Sequence, residues 1–269
     1  MSKDSSKTKD APKVNKRLFK WHRTISEPQD FGSPWRVILN VLLIFILSQV
    51  VAIFLVGVGM QLANQPISEL DNSANLQFIY VLLAEGLAVG MVMFILSHRK
   101  MSLASIGLGR KPKWPDLLRG IIGFAAFYAL LIVATIILNI LFPNLDKGTQ
   151  DVGFNNLNGT TANLIAFVAL VILPPLGEEP LVRGYLYSGL RSRLKFIPAL
   201  VITSILFGAA HLQTGAGSEL LWAAAANTFI LSAVLVYLRE KSGALYAGML
   251  VHMLNNAIAF GVHFHAHLF

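Results

Sequence analysis

Of the chain's 269 residues, 55 % are hydrophobic and only 13 % charged, far from a soluble domain, where about 25 % are charged. The absence of cysteine excludes disulfides and thiolate metal sites. The net charge of +8 falls in bursts between apolar segments, which argues for membrane orientation and against a nucleic-acid partner.

Residues 1–35 are polar and rich in Lys and Ser, and no apolar stretch begins near Met1. A disordered cytoplasmic tail is expected over 1–35, with no secretory signal peptide. Trp21, Phe31 and Trp35 are expected at the headgroup level. A membrane-embedded domain then fills 36–269. Seven apolar segments in it are long enough to span, since a spanning helix takes about 20 residues. They run approximately over 37–61, 76–97, 117–142, 162–190, 197–214, 219–238 and 244–263. The fourth is long and the fifth short, so one is expected to be broken or tilted. The strip 101–116 mixes apolar, basic and Pro residues and reads as an interfacial connector.

The fold class expected is an all-α polytopic membrane bundle. Of the 22 Lys and Arg residues, all but Lys147 fall on one side of the alternating segments. That places the N-terminus in the cytoplasm and the C-terminus outside.

The fourth segment carries Gly177-Glu178-Glu179-Pro180-Leu181-Val182-Arg183-Gly184 where the chain ought to be in hydrocarbon. An ionisable group there costs roughly 2.5–3.5 kcal/mol on insertion scales, so function is the first hypothesis. Counting inward from the basic loops at 1.5 Å per residue puts Glu178 at about 20 Å, His211 at about 24 Å, and His252 and Asn256 at about 16 and 22 Å. These side chains from three segments therefore share one layer. Glu179 and Arg183 are i,i+4 neighbours able to pair, whereas Glu178 points about 100° away. Phe207 and His211 share a face, so the ring can shield the imidazole from water. His252 and Asn256 likewise share one.

The three motifs Glu178-Glu179-x-x-x-Arg183, Phe207-x-x-x-His211 and His252-x-x-x-Asn256, in this order, resemble those of the CAAX-protease and bacteriocin-processing (CPBP, or Abi) family. Its members are polytopic membrane proteins and include type II CAAX prenyl endopeptidases. The resemblance extends to Arg183-Gly184 and to the Ser242–Gly248 run, and covers roughly 105–260. It implies peptide-bond hydrolysis by a glutamate-activated water. Glu178 would be the general base, and His211 would orient the water. His252 and Asn256 would donate to the oxyanion, each donor worth about 10²–10³ in rate. Glu179 and Arg183 would hold the motif helix. The implied partners are the bilayer and a peptide or protein substrate, with or without a lipid anchor, presented from the cytoplasmic side or laterally. A prenylated Cys-a-a-X tail, a peptide pheromone, a bacteriocin precursor and an anchored regulator all stay open. The expected location is the plasma membrane, as a multi-pass protein.

Rival readings follow from the same residues. Glu178, His211 and His252 could bind Zn²⁺. There is no His-Glu-x-x-His motif, however, and Asn is a poor zinc ligand, so no metal or other cofactor is expected. Pro180 lacks the N–H for the Leu176 carbonyl. With Pro174, Pro175 and Gly177 it predicts a bent or broken helix, or a new one starting near Glu178. An inactive immunity protein or peptide-binding scaffold is the alternative function. A proton-coupled transporter relaying through Glu85 and Glu178 is a third class, though the outer loops show little to line a pathway. Glu85 lies at about 20 Å depth, in the same layer, and reads as a hydrogen-bonded helix contact or a second cavity carboxylate. Gln49 and Asn227 are expected to bridge helices. The alternating His263, His265 and His267 are read as a solvated tail more than as a metal tract.

Overall fold

The computed structural model describes residues 30–143, 152–212 and 220–265. Residues 1–29 of the expected tail, Trp21 among them, lie outside the described residues, as does His267, whereas Pro34 and Trp35 at its end already belong to a helix and are not disordered. Seven helical rods follow in chain order among them. They are α1 (Pro34–Leu62), α2 (Ala74–His98), α3 (Trp114–Leu141), α4 (Gly159–Arg193), α5 (Phe196–Ala210), α6 (Trp222–Ser242) and α7 (Tyr246–His265). The first four and α6 are long and apolar enough to cross a membrane, and α5 is a shorter apolar helix of 15 residues. The chain is thus an integral membrane protein with the all-α bundle expected from its segments.

Local chemistry sets the rod ends. Pro34 occupies the first turn of α1, where its missing N–H costs nothing. The Asp116 carboxylate accepts the Lys113 N–H at 2.9 Å and Arg110 at 2.6 and 2.7 Å, capping α3 at its basic end. Gly243, at φ 68°, turns the chain out of α6.

The fourth segment is neither broken nor restarted. α4 runs 35 residues through three prolines and absorbs them in two wide π turns, Val168–Ile172 and Pro180–Leu186. A π turn shifts the hydrogen-bond register by one residue, so a ring without an N–H fits with little bending. Pro180 keeps helical angles of φ −59° and ψ −39°. Glu178 therefore sits inside a continuous rod, not at a helix N-terminus.

The largest core lies in the half of the bundle nearer the basic loops. There Val37 and Val41 of α1, Val92 and Leu96 of α2, Tyr185 and Leu190 of α4 and Phe207 of α5 pack together. Phe31 belongs to this core. It is 3 % exposed, its ring 5.8 Å from that of Tyr185, where the sequence placed it among headgroups. The strip 101–116 also does more than connect: Ile106 is fully buried. Trp35, in the first turn of α1, is 61 % exposed. Gln49 bridges α1 to α2 through the Tyr80 hydroxyl at 2.5 Å, as expected. Asn227 is exposed and does not bridge helices among the described residues, since α6 meets Gly208 of α5 through Ala225 and Phe229, about half a turn away on either side.

Candidate active site

α4 supplies the acids. Glu179 and Arg183 are both fully buried, and Arg183 Nη1 donates to Glu179 Oε1 at 3.0 Å, one turn apart. The same oxygen lies 3.0 Å from His252 Nδ1 on α7. A carboxylate only accepts, so Nδ1 carries the hydrogen. Gly248 permits this approach: a Cβ there would stand 3.3 Å from Glu179 Oε2. Glu179 is therefore more than half of an intrahelical pair; it also sets the orientation of His252.

Glu178 turns the other way. Its Oε2 stands 3.8 Å from His252 Nε2, beyond hydrogen-bonding distance, and accepts no hydrogen bond from the protein although buried. Arg183, Glu179 and His252 thus form a buried polar chain whose last nitrogen faces Glu178.

α5 supplies Phe207 and His211. His211 follows the last helical residue, and its Nδ1 donates to the Phe207 carbonyl at 2.8 Å. In the neutral ring Nε2 then carries the lone pair. The Phe207 ring lies 4.6 Å from His211 and meets His252 edge-on at 5.9 Å. The Arg183 guanidinium carbon sits 4.0 Å from its centroid, within cation–π range. Phe207 is therefore in contact with two site histidines as well as the buried cation.

Asn256 donates through Nδ2 to the Leu170 carbonyl at 3.1 Å. The reason lies in the proline pair. An α turn would pair Leu170 with residue 174 and a π turn with residue 175, and neither proline has an N–H. The Asn256 amide takes the orphaned carbonyl. One amide proton is committed there; an amide carries two.

Glu178, His211, His252 and Asn256 all line one chamber of about 610 Å³. Asn255 lines it too, donating to Asn256 Oδ1 at 3.4 Å. Sequence reasoning passed Asn255 over because it stands off the His252–Asn256 face; two consecutive amides in an apolar helix were the available signal. Thr228 was missed as well. A lone threonine in an apolar run carries no warning.

Glu85 arrives from α2. Its carboxylate lies on the backbone of Gly177, so close that a Cβ there would stand 1.9 Å from Oε2. Of the two sequence readings, the contact between helices is the nearer: Glu85 packs on the Gly177 backbone of α4 and is not among the residues lining the chamber. Among the described residues no three His, Asp or Glu side chains stand close enough together to hold a metal ion.

Residues 160–258 match the family model described as "Type II CAAX prenyl endopeptidase Rce1-like". No curated protein and no solved structure matches the chain. The matched stretch contains all three motifs and every side chain of the Arg183–Glu179–His252 array. Over residues 160–258 the chain is thus similar to the Rce1-like type II CAAX prenyl endopeptidases, in keeping with the resemblance that its three motifs carry.

Proposed function

We propose that this protein is an intramembrane endopeptidase that cleaves a peptide bond with a water activated by Glu178. The carrying observation is the buried Glu178 Oε2, unclaimed by the protein and 3.8 Å from His252 Nε2 in the chamber. A water there could accept from one group and donate to the other.

Glu178 takes a proton as the water oxygen bonds to the carbonyl carbon and the carbonyl electron pair moves onto its oxygen. His211 Nε2, as acceptor, orients the second water hydrogen. With Nδ1–H committed to Glu179, donation from His252 Nε2 to the oxyanion uses the doubly protonated ring. The second Asn256 amide proton is the other donor. The tetrahedral adduct then collapses. The C–N bond breaks, and Glu178 passes its proton to the leaving nitrogen, giving a carboxylic acid and an amine.

Residues 36–269 act as one membrane-embedded protease-like unit in the plasma membrane, with the 1–35 tail on the cytoplasmic side. The substrate is a CAAX-type tail or a peptide precursor of bacteriocin type. One observation favours an inert peptide binder instead: Asn256 already spends an amide proton on Leu170.

The experiment is Glu178→Gln in reconstituted protein, assayed against a peptide library. Loss of general-base catalysis predicts a fall of about 10²–10⁴ in kcat with the fold intact. Unchanged cleavage removes Glu178 as the base. Wild-type protein that binds peptides without cleaving any establishes the binder.

A further inference from the structure

The chamber is placed asymmetrically. Apart from the buried Arg183, the Lys and Arg residues among those described lie at one end of the bundle, at Arg36, 99–119, 191–195 and 239–241. That end is cytoplasmic by the distribution of positive charge. Every residue lining the chamber lies at the depth of Glu178 and His252 or beyond them, toward the opposite end. On α7 the lining climbs from His252 through Asn255, Ala259 and Val262 to His263 and Phe264, and Val152 lines it from the loop before α4. Twelve residues of helix make that climb about 18 Å, enough for about five residues of extended peptide.

The cytoplasmic half is filled instead. Residues 179–190 of α4 are buried without exception. Phe31 packs on Tyr185 from below, and the Tyr187 hydroxyl donates to Glu240 at 2.6 Å. Arg239 Nη2 donates to Ser188 Oγ at 3.2 Å. From Glu178 to Arg191 this is about 20 Å of packed protein. A cytoplasmic tail could reach Glu178 only by unpacking it.

The lining also selects by polarity. Among the described residues it contains no Lys, Arg or Asp, and Glu178 and the histidines are the only ionisable groups there. A charged side chain entering it would lose water without gaining a partner.

Building on the hydrolase reading above, the geometry points to a substrate that enters from the non-cytoplasmic side. It is an uncharged, apolar stretch of an exported or membrane-inserted polypeptide, so that of the two substrate classes named above the access route favours the peptide precursor over the CAAX-type tail. This departs from the cytoplasmic presentation expected from the sequence.

The chain has no cysteine, which makes accessibility directly measurable. Ala259→Cys and Val262→Cys on the chamber wall, and Lys111→Cys as the cytoplasmic control, are exposed in intact cells to a membrane-impermeant maleimide. Labelling is repeated in inverted vesicles. The expected result is chamber labelling from outside and control labelling only after inversion. In proteoliposomes of one orientation, an internally quenched library of short apolar peptides should be cut when added at the outer face. A bulky maleimide on Val262→Cys should abolish that cleavage. Chamber cysteines that label only after inversion, or peptides cut only from the cytoplasmic face, overturn the inference and leave the hydrolase reading standing. Outside labelling with no cleavage from either face keeps the access route and removes the hydrolase reading.

Discussion

Glu179 Oε1 lies 3.0 Å from His252 Nδ1 while also holding Arg183 Nη1, so one buried oxygen links α4 to α7. The i,i+4 spacing of Glu179 and Arg183 accounts for the second contact alone. Changing Glu179→Gln removes the charge that balances Arg183 and lets the amide turn its donor toward His252. The expected outcome is a lower melting temperature together with a kcat reduced by about 10² or more, by analogy with losing an orienting carboxylate. Kinetics well below the melting point separate the two effects. Full activity in the folded variant would return Glu179 to a purely structural role.

Arg183 has no exposure and its charge is met by Glu179. Arg183→Leu leaves that carboxylate uncompensated in the interior, which should cost about 3–5 kcal/mol. The double variant Glu179→Leu, Arg183→Leu should lose less than the single one, since no orphan charge remains. Unfolding in detergent measures both. A double variant as unstable as the sum of the singles would contradict the coupling.

Gly177 offers the Glu85 carboxylate a surface that no other residue can provide. Gly177→Ala should destabilise by about 1–3 kcal/mol through overpacking and displace the adjoining Glu178. Trimming Glu85→Ala in the same chain should recover the stability. Thermal melts of the single and double variants check this, and no recovery would mean that the clash lies elsewhere.

A metal-dependent reaction would need ligands from Glu178, His211 and His252. On the metal-free mechanism, dialysis against a strong chelator leaves cleavage unchanged. Activity lost in the chelator and restored by zinc would overturn that mechanism.

At the basic end of the bundle, the Asp30 carboxyl is held below the usual carboxylate range by the Gly32 N–H and by Arg193. A depressed carboxylate contributes its stability above the unfolded value, about 3.9, and loses it as pH falls through the folded one. Asp30→Asn should therefore lower the melting temperature slightly at neutral pH, and the difference should vanish in acid. A deficit that persists in acid would show that the stabilisation does not come from the Asp30 charge.

The seven rods, their order and the shared depth of Glu178, His211, His252 and Asn256 were legible in the residues themselves. Hydrocarbon demands long apolar runs, and a fixed rise per residue turns spacing into depth. Depth does not give azimuth. That Asn256 spends a proton on Leu170, that Glu85 rests on Gly177 and that Phe31 caps the core depend on which helix faces which. Packing of whole surfaces sets those angles, and no local spacing encodes them. The unbroken α4 belongs with them: Pro180 forbids one hydrogen bond, but whether the rod snaps or widens into a π turn depends on the neighbours that hold its two halves in line. The side on which the chamber lies was likewise decided by tertiary structure, because it reflects where side chains of α4, α5 and α7 fill space and where they do not.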